Sequence, residues 1–232
     1  MTGKPPLFIG IDVQCKRGLT FCCLDDEGRL SGSGWIPENK RDLPNLYGDI
    51  ETLLTQRFQP LSEQWALFFG IDAPRQPLER PRTWCFNSRT GQWQRRTSSV
   101  KGWGRHCEIV IKTLHLGNPQ WTPINREDSP PWMRLGYRIF EILIRLGQCH
   151  EVFPSATYRQ INQSEAILPI PMGQLDRGPK DILDSTAAAW TLREWYQHRG
   201  QAVGGGDGLG RILLPRVLPD HPILHWPVAR LT

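Results

Sequence analysis

Three observations predict an α/β domain. Two short apolar runs, Leu7-Phe8-Ile9-Gly10-Ile11-Asp12 and Leu67-Phe68-Phe69-Gly70-Ile71-Asp72, stand 60 positions apart, and each has the length and composition of a strand buried on both faces. Between them, residues 42–58 repeat leucine and isoleucine at helical spacing. Close behind the first run, two more β-prone stretches separated by turn signals suggest an antiparallel meander. A helix crossing from that meander to the second run lets the new strand lie parallel to the first and beside it.

Each element has its own signal. Leu19 to Leu24 is apolar and β-prone, Asp25-Asp26-Glu27-Gly28 is a turn, and Arg29 to Ile36 reads as the third strand. Leu43, Leu46, Ile50, Leu53 and Leu54 form the apolar stripe of the helix, with Pro44 suited to its first turn. Met133 to Leu146 carries Leu135, Ile139, Ile142, Leu143 and Leu146 on one face, and Gly147 is its stop. Cys149 to Pro154 reads as a short strand broken by proline. Asp181 to Trp195 is a helix rich in alanine, and Gly204 to Gly208 turns into a last strand, Arg211 to Leu214. The expected organisation is one domain over 1–215, an insertion at about 74–131, and a C-terminal extension over 216–232.

Composition narrows the function. At 232 residues the chain can bury a sizeable core. No apolar run approaches the roughly 18 residues of a membrane span, and no signal-peptide segment follows Lys4, so a cytoplasmic protein without a membrane partner is expected. The six cysteines and six histidines are scattered, with no Cys-x2-Cys or His-Glu-x2-His spacing for zinc. Cys107 beside His106 is a poor nucleophile–base pair, because adjacent residues usually point apart.

Charge is unevenly placed. From Pro74 to His106 eight basic residues face one acid, a local +7, so the remaining chain carries −2 of the total +5. Trp84, Trp93, Trp103 and Trp121 lie in or just beyond this stretch. Arginines neutralise phosphates and indoles stack bases, which suits single-stranded or distorted nucleic acid. Arg95, Arg96, Lys101 and Arg105 are the residues expected to hold a nucleic-acid backbone. The competing account is that the tryptophans pack a small core of the insertion while the arginines are solvated or paired with acids.

The acids make the chemical case. Asp12 and Asp72 end their strands, Glu151 lies in the next one, and Asp181 and Asp184 share one face near a helix N-terminus. Singly, each has an ordinary reading as a turn, cap or helix-dipole residue. Together they would converge at one sheet edge, where open α/β sheets form their sites. Convergent carboxylates suit Mg²⁺ or Mn²⁺, which prefer oxygen ligands, and a pair of such ions serves phosphodiester hydrolysis.

Gly10-Ile11-Asp12, Gly70-Ile71-Asp72-Ala73-Pro74, Arg105-x-Cys107-Glu108, Glu151-Val152-Phe153-Pro154 and Asp181-x2-Asp184-x2-Ala187-Ala188-Ala189 occur here in sequence order. In this the chain resembles the DUF429 family of predicted RNase H-like nucleases, and Asp207-Gly208 leading to Leu214-Pro215 resembles that family's last strand. The resemblance implies a ribonuclease H-like mixed five-stranded sheet, three antiparallel strands then two parallel, with helices on its faces. It also implies that Asp12, Asp72, Glu151 and Asp184 bind metal, with Asp181 as a fifth acid.

The expected function is therefore metal-dependent hydrolysis of nucleic acid. Asp12 would bridge the ions, Asp72 and Asp184 would complete the ligands, and Glu151 or Asp181 would orient the attacking water. A non-catalytic nucleic-acid-binding or scaffold protein is the alternative. An actin-like ATPase or sugar kinase fits less well, because Asp12 is followed by Val-Gln-Cys-Lys-Arg-Gly and not by a glycine-rich phosphate hairpin.

Overall fold

The computed structural model describes residues 3–97, 102–161 and 179–227. It is a mixed α/β protein. In chain order the elements of its main sheet are β1 (Pro6–Asp12), β2 (Leu19–Leu24), β3 (Leu30–Ile36), β4 (Ala66–Asp72), β7 (Gln148–Val152), β8 (Gln201–Gly204) and β9 (Arg211–Leu214). The spatial order is β3-β2-β1-β4-β7-β9-β8. A separate hairpin pairs β5 (Trp84–Asn87) with β6 (Gln92–Arg95). The helices are α1 (Leu46–Gln64), α2 (His106–Thr113), α3 (Pro131–Leu143), α4 (Pro154–Ile161) and α5 (Pro179–Tyr196).

The apolar runs behave as buried strands should. In β1, Leu7, Ile9 and Ile11 face one core with α1 and α3, while Phe8 faces a second core with α5. Helix α1 buries Leu46, Ile50, Leu54 and Phe58, four apart, as a single stripe. Phe58 meets Phe21 and Phe69 edge to face, with ring centroids 5.5 and 5.4 Å apart.

The two glycines of the near-repeat let α5 press onto the sheet. A Cβ on Gly10 would lie 2.0 Å from the Ser185 carbonyl oxygen and 2.4 Å from the Ala189 nitrogen. On Gly70 it would lie 3.0 Å from the Ala188 carbonyl oxygen. The buried Ala187, Ala188 and Ala189 complete this close approach. Small residues on both sides therefore set the height of α5 above the strands.

Two expectations change. Among the described residues the sheet has seven strands where the resemblance implied five: β9, read from the sequence as the last strand, joins it beside β7, and the short β8 extends it further. β8 carries only Ala202 and Val203 as apolar signal, too little to read as a strand. Residues 154–161 form α4, where the sequence reading ended in a proline-broken strand. The C-terminal segment also packs: Ile223 is fully buried in a third core with Cys107, Val110, Ile212 and Leu214. Trp93 and Trp226 flank that core, and the Trp93 indole donates to the Pro222 carbonyl at 3.2 Å. For Trp93 the core-packing account holds.

Candidate acidic site and its basic surroundings

β1 and β4 run parallel in a register that sets Gly10 beside Gly70 and Asp12 beside Asp72. The two carboxylates thus leave the sheet side by side, and α5 brings Asp184 and Asp181 over them. Asp12 is 2 % exposed. Its Oδ1 accepts a long 3.5 Å bond from Gln14, and its buried Oδ2 has no hydrogen-bond partner among the described residues. Burial pushes the Asp12 carboxyl up to about 7, with the charges of Asp184 and Asp181 adding to the rise. Burial, Asp12 and Asp184 likewise hold Asp72 well above its ordinary range. The cluster is short of positive charge.

Two cations partly answer it. Lys180 donates to Asp184 Oδ2, and the Tyr158 hydroxyl donates to Asp184 Oδ1 at 2.7 Å. The Lys180 side chain is 76 % exposed, so it can swing away without disturbing packing. Arg17 grips Asp181 with two bonds, 2.8 Å to Oδ2 and 2.6 Å to Oδ1. Both oxygens of Asp181 thus bond to a guanidinium, which ties the loop after β1 to α5.

Glu151 and Arg105 differ from expectation. Arg105 is 2 % exposed and turned inward, so it does not hold a nucleic-acid backbone. It contacts Glu108 Oε1 at 2.9–3.0 Å and Glu151 Oε1 at 2.6 Å, and its backbone N–H closes a capping box with Glu108 at 3.0 Å. Glu151 Oε1 also accepts the Arg75 backbone N–H at 2.7 Å. Glu108 is further engaged by Thr122. The unit ties α2 to β7, and Glu151 reads first as its counter-charge.

Arg95 and Arg96 lie on or beside β6, Arg95 exposed with its guanidinium 5.5 Å from the Trp84 ring centroid, and neither lines the cleft over the acids. Lys101 lies outside the described residues. That cleft, about 470 Å³, is lined by Asp12, Asp72, Lys16, Arg17, Trp132 and Phe153 among others. Lys16 and Arg17 were passed over because their stretch was weighed only as a phosphate hairpin. Their position four and five residues after Asp12 was the available signal.

As they stand, no three His, Cys, Asp or Glu side chains among the described residues are gathered closely enough to hold a metal ion. The donor chemistry nevertheless fits a hard cation: carboxylate oxygens only, one of them buried and unbonded. Among the described residues, no helix is long and apolar enough to cross a membrane. No protein-family model matches the chain, and no curated protein or solved structure matches it.

Proposed function

We propose that this protein is a metal-dependent nuclease of the RNase H-like type, as the resemblance to the DUF429 family implies. The observation that carries the reading is the unbonded, buried Oδ2 of Asp12 inside a group of mutually repelling carboxylates. Asp181 and Glu151 are ion-paired, whereas among the described residues Asp12 and Asp72 have no ion-pair partner. The strand order β3-β2-β1-β4-β7, an antiparallel meander followed by parallel strands, supports the fold assignment. All six cysteines are free, which suits the reducing cytoplasm.

Asp12 and Asp72, with Asp184 after release of Lys180, would hold Mg²⁺ or Mn²⁺. Such an ion, when bound, supplies Lewis-acid chemistry at a phosphodiester. The chain's own residues do the rest. Lys16 and Arg17 meet the phosphates at the mouth of the cleft, and Trp132 and Phe153 give it apolar walls. The Tyr158 phenol, held protonated by burial and by the charge of Asp184, keeps Asp184 oriented.

The test is cleavage of single-stranded RNA, single-stranded DNA, duplexes and hybrids by purified protein with Mg²⁺ or Mn²⁺. The wild type cleaves at least one of them and Asp12→Asn does not. Failure of the wild type on every substrate and metal, with binding intact, would move the protein to the non-catalytic nucleic-acid-binding reading.

A further inference from the structure

A second cleft has a volume of about 860 Å³. It runs between the β5–β6 hairpin and the Gly206–Leu209 turn, and it shares no lining residue with the acidic cleft. Arg80, Arg82, Trp84 and Trp226 lie along it. We propose that this cleft binds single-stranded nucleic acid, with phosphates on Arg80 and Arg82 and bases against Trp84 and Trp226.

Charge is the first argument. Among the described residues, none of Arg80, Arg82, Arg89, Arg95 and Arg96 has a carboxylate partner, whereas Arg105 has two. Arg82 is half-buried and lines the cleft, with its guanidinium 5.6 Å from the Trp121 ring centroid and, among the described residues, no carboxylate partner. A guanidinium without a carboxylate is open to a phosphate. Among the described lining residues the acid is Asp207, which accepts the His106 N–H at 2.7 Å and the Leu209 N–H at 3.0 Å and forms no ion pair with the arginines of the cleft.

Ring geometry is the second. Trp226 is fixed by Trp93, centroids 4.9 Å apart at 64°, and by His106 at 5.0 Å. Trp84 carries the Arg95 guanidinium 5.5 Å from its ring centroid. Indoles already held in place stack a base with little ordering cost. Stacking requires exposed base faces, which a duplex hides, so a single strand is the ligand this lining fits. The volume suits more than one nucleotide, since pockets for whole small ligands run from about 300 to 1,000 Å³.

The inference rests on the nuclease reading for the class of ligand and not for turnover, and it is tested in chelator, where metal-dependent cleavage is silent. Fluorescence anisotropy of dye-labelled oligo(U) and oligo(dT), about 12 nucleotides long, is read against the full chain. Arg80→Gln and Trp84→Ala each weaken binding roughly tenfold, the scale of one stacked base. Arg80→Gln also lowers the slope of log affinity against log salt by about 0.7, the share of one phosphate contact on a single strand. Arg80 is exposed and unpaired, so its loss leaves the fold intact.

Wild-type affinity and salt slope in Arg80→Gln and Trp84→Ala would overturn the proposal. So would equal affinity for a duplex, or full displacement of the strand by inorganic phosphate, which would make the cleft a small-anion site. A wild type that binds the strand through this cleft yet never cleaves sinks the nuclease reading alone. A wild type that cleaves, with the cleft variants unchanged in affinity, sinks this inference alone.

Discussion

Asp12 shows how one residue joins a stability cost to a function. Its ordinary carboxyl value is 3.8, and burial beside Asp184 and Asp181 lifts it to about 7. Between those values the folded state keeps a proton that the unfolded state has released. Metal-free stability contributed by this group is thus full below the unfolded value and falls as pH rises to about 7, at roughly 1.4 kcal/mol per unit. In chelator at pH 8, Asp12→Asn should therefore melt higher than the wild type while losing metal-dependent cleavage. A melting temperature below wild type there would contradict the account. Arg105 works in the opposite direction. Arg105→Ala leaves Glu108 and Glu151 buried without their cation, and urea unfolding should show a loss of about 3–5 kcal/mol. Unchanged stability with weakened nucleic-acid binding would restore the surface role first expected of it.

Helix α5 sits where it does because β1 and β4 each offer a glycine under it. Gly10→Ala drives a methyl against the Ser185 carbonyl and the Ala189 backbone, so thermal or urea unfolding should show a loss of at least about 3 kcal/mol. Gly32→Ala in β3 meets nothing within 4 Å and should change stability by less than about 0.5 kcal/mol. Equal effects from the two would sink the close-approach argument. This element-level logic was legible in the sequence: the paired Gly-Ile-Asp runs come out as neighbouring strands in register, and Ala187 to Ala189 form the surface they meet. β8 was not legible, because four residues with two small apolar side chains gain strand identity only by pairing with β9. α4 was hidden by Pro154, which reads as a strand breaker yet starts a helix well. The partners of Asp181 and Glu151 could not be read either. Arg17 lies 164 positions from the first and Arg105 lies 46 from the second, and sequence spacing does not encode such contacts.

At the scale of the whole molecule, two surfaces differ in charge. The carboxyl ends of β1 and β4 gather acids that repel one another, while the arginines on and before the hairpin have no carboxylate partner among the described residues. The Arg105–Glu108–Glu151 unit locks α2 to β7. The proposed reading pairs nucleic acid with the basic surface and a cation with the acidic one. The most direct measurement of that claim is a thermal shift with Mn²⁺ on wild type and Asp12→Asn, at pH 8 and without nucleic acid. At about 100 times its dissociation constant, a bound ion stabilises the folded state by about 2.7 kcal/mol, so the wild type should melt higher with Mn²⁺ and Asp12→Asn should not respond. A wild type indifferent to Mn²⁺ and Mg²⁺, or an equal shift in the variant, would contradict the assignment of Asp12 and Asp72 as a cation site.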